Sequence, residues 1–337
     1  MKILVTGGLG FIGSHTVVAL QNKGYEVVII DNLSNSSLNV IDGIVKITGK
    51  TPIFSKLDLK NKSQVSDFFR LHDDIQGVIH FAASKAVGES VENPLMYYEN
   101  NLNTLIYLLQ NITKLPQQNL IFSSSCTVYG QADELPITEK APVKKAMSPY
   151  GNTKQIGEEI ISDTCDVNTS LKSISLRYFN PIGAHSSAEI GELPIGTPQN
   201  LVPYITQTAG GKREQLSVFG DDYPTEDGTC IRDYIHVMDL AEAHLVALER
   251  LMSNKVNSNF EVFNVGTGNG NSVLEVVTAF EKVSGQKLNY KIANRRPGDV
   301  TAAFADTTKV NNELGWKAKF SLEDALESAW KWEQKQA

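Results

Sequence analysis

Tyr150 and Lys154 stand four residues apart in a segment, about Tyr150–Cys165, whose apolar spacing is helical, so both side chains project from one face. A free tyrosine ionises near ~10 and is a poor base at neutral pH. An ammonium group beside it, joined by a second cation in a dry site, favours the phenolate. Moving the pKa to about 7 takes roughly 4 kcal/mol of differential stabilisation. Ser125 closes the run Leu120–Ser124, which reads as a strand. A hydroxyl at the carboxyl edge of a parallel strand can bridge a substrate hydroxyl and the tyrosine. Together the three describe an acid–base centre that moves a proton on and off a hydroxyl group. Taken alone, Tyr-x-x-x-Lys is equally a surface pair one helical turn apart.

A second constellation opens the chain. Gly7, Gly10 and Gly13 follow the run Ile3–Thr6 and lead into helical spacing over Ile12–Asn22. One glycine makes the tight turn, one lets a pyrophosphate approach the backbone, and one lets the helix sit close to the sheet. The helix N-terminus then offers free N–H groups to phosphates. The next strand ends Ile29-Ile30-Asp31, placing a carboxylate where the ribose hydroxyls of an adenosine would lie. That charge repels a 2′-phosphate, which favours NAD over NADP. Singly, the glycines also suit a plain strand-to-helix turn, and Asp31 with Asn32 a solvated strand end. Their common position on a first βαβ unit points to dinucleotide binding.

These groups need a sheet to carry them. Short β-branched runs recur at Ile3–Thr6, Glu26–Ile30, Ile53–Ser55, Gly77–His80 and Leu120–Ser123, separated by helical periodicity at Ile12–Asn22, Ser63–Leu71 and Leu95–Ile112. Strands without polar alternation, divided by helices, predict an α/β fold: a doubly wound parallel sheet of Rossmann type. A further strand is expected at Ser173–Tyr178. After Asn180, Gly and Pro become frequent and the alternation is lost, so residues 1–180 are read as the NAD-binding domain and 181–337 as a smaller C-terminal α/β substrate domain. The 180–203 stretch is alternatively a long loop. Helix-like and strand-like pieces at Asp239–Leu251 and Val262–Val265 suggest that part of 235–265 packs back on the first domain.

The 337 residues carry a formal net charge of -7, which argues against nucleic acid as the main partner. A small phosphorylated ligand remains compatible, since local arginines or a helix N-terminus can hold it. Cys126, Cys165 and Cys230 form no CxxC pair, and the six histidines show no HExxH spacing, so no metal is expected and a reducing cytoplasm is. No apolar run approaches a membrane span.

The glycine spacing Gly-x-x-Gly-x-x-Gly, with Ser125, Tyr150 and Lys154, resembles the extended short-chain dehydrogenase/reductase family, and within it the UDP-glucose 4-epimerases. The resemblance runs from Met1 to about Trp332. It is most specific at His80–Ala83, Lys85–Ser90, Tyr97–Asn101, Ser123–Ser125, Tyr129-Gly130, Ser148–Gly151, Arg177–Pro181, Asp222–Thr229 and Arg232–His236. It implies catalysis by Tyr150, Lys154 and Ser125. It implies NAD contacts from Gly7, Gly10, Phe11, Ile12, Gly13, Asp31, Asn32, Leu33, Asn35, Ser36, Asp58, Leu59, Phe81, Ala82, Ala83, Lys85, Asn100 and Phe179, besides the catalytic three. The UDP-sugar would meet Lys85, Ser125, Tyr150, Asn180, Asn200, Leu201, Ser217, Phe219, Arg232, Arg296, Asp299 and Ala303. Arginines suit a diphosphate, and Phe219 can stack on uracil.

The implied reaction has no net redox. A proton leaves the sugar 4-hydroxyl, the C4 hydrogen passes to NAD, and the 4-keto sugar turns over before the hydrogen returns to its other face. A homodimer built on the Leu95–Ile112 and Tyr150–Cys165 helices is also implied. Two other readings compete. A sugar-nucleotide 4,6-dehydratase carries Asp-Glu directly after the catalytic Ser or Thr, where this chain has Cys126 and Thr127. A silent NAD-sensing regulator loses the Tyr/Lys pair, which this chain keeps. One departure concerns specificity. Glucose-restricted bacterial members carry a tyrosine four positions after the Asp of Arg-x-Gly-Asp. Here Arg296-Pro297-Gly298-Asp299 is followed at that place by Ala303, so N-acetylated UDP-hexoses are expected as substrates too, unless Phe304 turns inward to refill the space.

Overall fold

The computed structural model describes residues 1–296 and 298–336; Pro297 and Ala337, the end of the proposed substrate domain, lie outside the described residues. The first half alternates strand and helix: β1 (Lys2–Thr6), α1 (Phe11–Asn22), β2 (Glu26–Asp31), α2 (Asn39–Thr48), β3 (Ile53–Lys56), α3 (Lys62–Leu71), β4 (Ile75–His80), α4 (Val87–Glu92), α5 (Pro94–Ile112), β5 (Asn119–Ser125), α6 (Pro149–Val167) and β6 (Lys172–Tyr178). The later chain forms β7 (Asn180–Ile182), α7 (Leu201–Ala209), β8 (Leu216–Phe219), β9 (Ile231–Arg232), β10 (Tyr234–His236), α8 (Val237–Met252) and β11 (Phe260–Val265). It ends with β12 (Asn271–Ser272), α9 (Val273–Ser284), β13 (Tyr290–Ala293), β14 (Ala302–Ala303) and α10 (Leu322–Lys335).

Seven strands form one parallel sheet in the order β11-β6-β5-β4-β1-β2-β3. Its strands are apolar on both faces because both are covered. Ile3 and Val5 pack with Val17 and Val18 of α1 and Leu240 and Leu248 of α8, whereas Leu4 between them packs with Phe68 of α3 and Leu105 and Leu108 of α5. The order reverses between β1 and β4, so a crevice opens beyond the carboxyl ends of those strands, where ligands bind in such sheets. β11 and α8 belong to this sheet and its helical layer.

The remaining elements form small sheets. β10 pairs with β7, β13 with β8, and β9 lies between β12 and β14. A separate apolar cluster joins α7, α9 and α10. Between Asn180 and Pro203 the chain forms β7 at its start and enters α7 at its end, anchored by buried Ile182 and Val202, while residues 183–200 run as a long connection with one isolated bridge, Ala184 to Gly191, so the long-loop reading holds for that stretch.

Candidate active site

At the turn after β1, Gly7 adopts φ +67°, and a Cβ there would stand 2.8 Å from the Ala82 nitrogen. A Cβ on Gly13 would stand 2.3 Å from the Gly7 carbonyl oxygen, so helix and turn meet as closely as only glycine allows. No side chain caps α1 at Gly10, and its first turn holds no acid. The first intrahelical bond runs from Ser14 N–H to the Gly10 carbonyl at 2.9 Å, which leaves the N–H groups of Phe11, Ile12 and Gly13 ahead of it. An uncapped N-terminus over a glycine cradle fits the pyrophosphate of a dinucleotide.

The other expected NAD residues lie along the same strand ends. Asp31 is buried and is no solvated strand end. Its Oδ2 accepts from Leu9 N–H at 3.1 Å, and its Oδ1 accepts from Leu33 N–H at 2.9 Å and Ser36 Oγ at 2.8 Å. Asn32 accepts from Ser34 N–H in a local turn, with Asn35 exposed beside it. Asp58 and buried Leu59 follow β3. Phe81, Ala82 and Ala83 follow β4, with Phe81 N–H donating to the Thr6 carbonyl at 3.0 Å. Asn100, on α5, reaches back to Ser84 Oγ at 3.1 Å. Phe179 is buried beyond β6, its N–H bonded to the Val265 carbonyl.

Ser125 ends β5 and Tyr150 enters with the first turn of α6, which Ser148 caps by accepting Gly151 N–H at 3.1 Å. Ser125, Tyr150 and Lys154 are all buried. Lys154 Nζ donates to the Ser123 carbonyl at 2.6 Å and stands 5.8 Å from the Tyr150 ring centre. The protein alone does not lower Tyr150 toward neutrality. Burial pushes the phenol well above its usual value, with the Ser125 hydroxyl acting against it. Burial likewise pushes Lys154 down to about 8, with the Glu158 carboxylate opposing. The expected activation by two cations therefore does not rest on Lys154 alone. Lys154 serves the Ser123 carbonyl, and desolvation of the phenol outweighs it.

Arg232 and Arg296 converge on Asp299: Arg232 Nη2 lies 3.5 Å from Oδ1, while Arg296 Nε and Nη2 each lie 3.2 Å from the carboxylate. The Arg296 guanidinium stands 5.4 Å from the Phe219 ring centre at the end of β8, and Ser217 lies two residues earlier on the same strand. Asn180 opens β7 by donating its N–H to the Asp233 carbonyl at 2.9 Å, and Asn200 and Leu201 begin α7. Ala303 is buried with Cys126, Val128, Tyr129 and Phe179. Phe304 turns toward Gly270, whose Cβ would sit 3.0 Å from its ring. Burial pushes the Cys126 thiol up to about 12, so the position after Ser125 offers no base for a C5 proton.

Three residues escaped sequence reading. Glu192 accepts from Asn200 at 2.6 Å and pairs with Lys85 at 3.4 Å, joining two expected ligand groups. Asp233 accepts four bonds, from Thr267 N–H and Oγ1, Gly268 N–H and Ala305 N–H, and so fixes the backbone beside Arg232. Glu158 lies one turn beyond Lys154, paired with Arg177. Only Glu158 had a readable signal, its i+4 spacing.

A family model described as GDP-mannose 4,6 dehydratase matches residues 4–329. A UDP-glucose 4-epimerase of Bacillus subtilis (strain 168) is 51% identical over 333 residues, covering 99% of this chain and 97% of the relative. Among solved structures, the UDP-glucose-4-epimerase of Stenotrophomonas maltophila, with bound NAD and formylated UDP-arabinopyranose, is 46% identical at a TM-score of 0.95, covering 100% of this chain and 98% of that one. The enzyme of Bifidobacterium longum, in complex with NAD+ and UDP, is 44% identical at a TM-score of 0.95, with 99% and 98% covered. With the glycine turn, the Ser125–Tyr150–Lys154 centre and this likeness along nearly its whole length, the chain belongs to the extended short-chain dehydrogenase/reductase family, among its UDP-glucose 4-epimerases.

Proposed function

We propose that this chain is an NAD-dependent isomerase that inverts C4 of a UDP-hexose, interconverting UDP-galactose and UDP-glucose. The observation that carries the reading is the buried Ser125–Tyr150–Lys154 centre, set at the carboxyl edge of the sheet near an uncapped, glycine-lined helix N-terminus. When bound, NAD supplies a reversible acceptor for the hydrogen on sugar C4. Tyr150 takes the proton of the 4-hydroxyl and, once the hexose has turned over, gives it back to the same oxygen, Ser125 bridges the two oxygens, and Lys154 contributes positive charge. Lys154 alone does not offset the burial of the phenol, so its ionisation would draw on the positive charge of a bound nicotinamide as well. Phe11, Ile12 and Gly13 N–H groups hold the pyrophosphate, and Asp31 with its loop receives the adenosine ribose. Arg232 and Arg296, oriented by Asp299, grip the UDP diphosphate, and Phe219 stacks on uracil.

The small Ala303 side chain supports a wider pocket that also takes UDP-N-acetylglucosamine and UDP-N-acetylgalactosamine. Exposed Leu95 on α5 and Val167 at the end of α6 fit a homodimer formed through those helices. The scattered free cysteines favour a cytoplasmic setting. Among the described residues no helix is long and apolar enough to cross a membrane. Incubation of the purified protein with UDP-galactose, products resolved chromatographically, tests the central reading: UDP-glucose should appear, and a 4-keto-6-deoxy product would replace it with the dehydratase reading.

A further inference from the structure

Tyr150, Lys154 and Glu158 repeat every four residues on α6, so their side chains line one face. All three are buried. Glu158 is clamped from the sheet. Arg177 of β6 donates through Nε at 3.0 and 3.2 Å and through Nη2 at 2.5 Å, and Ser124 of β5 donates its hydroxyl to Oε1. Arg177 is itself held from behind, its guanidinium 4.8 Å from the Tyr129 ring centre. Ser124 sits between Ser123, whose carbonyl takes the Lys154 proton donor, and Ser125. One three-serine strand end therefore touches both the lysine and its neighbouring carboxylate.

Resting on the reading of Tyr150 and Lys154 as the catalytic pair, we propose that Glu158 is a positioning residue: fixed by Arg177 and Ser124, its carboxylate is the negative charge set against the buried Lys154 ammonium. Other groups around Lys154 do not take that part. From β4, His80 is pushed down to about 3 by burial with Lys154 nearby, so it is neutral, its Nδ1 2.7 Å from Thr6 Oγ1. From β5 come the Ser123 carbonyl and the Phe122 ring, 4.9 Å from Nζ at its centre. From β6, the Tyr178 hydroxyl is engaged by Ser123 Oγ, and burial pushes it up to about 12, so it stays a neutral phenol. On α5, the Tyr97 hydroxyl donates to Glu89. On α6, Tyr150 is a buried phenol. Arg177 adds positive charge, which Glu158 neutralises.

Burial already brings Lys154 down to about 8 against the Glu158 charge. Removing that charge must lower it further, and Lys154 would then lose its proton near neutral pH, with the help it gives Tyr150. The test uses the purified protein with its lysines carrying ¹³C at Cε, the Lys154 signal assigned by its absence in Lys154→Met. Two variants are compared with the parent: Glu158→Gln, and Glu158→Gln with Arg177→Met, which leaves no unpaired buried guanidinium should the single variant fold poorly. In Glu158→Gln the Lys154 titration should move to lower pH by about one unit or more, and the alkaline limb of kcat/KM on UDP-galactose should move with it; the double variant, which loses one charge of each sign, should move in the same direction by less. An unmoved titration in a folded variant overturns the proposal, as does a moved titration with an unmoved limb. Should the parent protein fail to turn over UDP-galactose at all, the functional reading falls, while the titration still reports whether Glu158 is coupled to Lys154.

Discussion

Tyr150 brings a phenol into a site where burial keeps it protonated, and Lys154 answers to the Ser123 carbonyl. A base that depends on its surroundings for activation is sensitive to small changes. Tyr150→Phe keeps the ring's packing and removes the proton carrier; turnover of UDP-galactose should fall by ~10²–10⁴-fold with the melting temperature little changed. Near-parental rates would mean that the proton travels elsewhere. Ala303 sets the other residue-scale question. A phenol ring is far larger than the methyl group it would replace, and Phe304 turns toward Gly270. Ala303→Tyr should therefore abolish turnover of N-acetylated UDP-hexoses and spare UDP-galactose; equal loss on both, or a parent enzyme inactive on N-acetylated sugars, would count against the open pocket. Tyr150 with Lys154, Ser125, the three glycines and Asp31 were legible because each has a spacing. Glu192 and Asp233 were not, because their partners lie at Lys85 and Asn200 and at Thr267–Ala305, which no periodicity connects.

Among the elements, α6 matters most, since its first turn delivers Tyr150 and its second Lys154. Ser148 caps it, and without that side chain the Gly151 N–H loses its partner. Ser148→Ala should cost about 1 kcal/mol in urea unfolding and lower turnover by loosening the tyrosine; unchanged stability and rate would show the cap to be idle. The strands of the large sheet and most of its helices, though not α2, could be read from the chain because both faces are covered, which leaves uninterrupted apolar runs. The helix ends were read one or two residues short: α6 begins at Pro149 and runs to Val167, since Pro suits a first turn and Val167 adds no core contact, being 87% exposed. The short strands β9, β12 and β14 were illegible. Two residues cannot show a period, and the bonds that tie their neighbours together, Asp233 to Thr267 and Ala305, are long-range.

Taken whole, the molecule keeps neutral rings inside. Burial pushes His15 and His80 down to about 3 and His236 and His244 to about 4. In the unfolded chain each would take a proton near pH 6.5. Below that pH the unfolded state binds more protons, so the stability they contribute is fully present above 6.5 and is lost as pH falls toward 4 and 3, by up to about 1.4 kcal/mol per pH unit for each ring. Calorimetry should find the melting temperature dropping steeply between pH 6.5 and 4.5; a flat profile would contradict the burial of these rings. The glycine turn and the serine–tyrosine–lysine centre both stand at the carboxyl edge of the large sheet, and on the proposed reading a hydrogen taken from C4 of the sugar is returned to C4. UDP-galactose bearing deuterium at C4, incubated with the purified protein in ordinary water and without added reductant, tests this directly. The account predicts UDP-glucose that retains the deuterium at C4; product whose C4 label has been lost to solvent would contradict it.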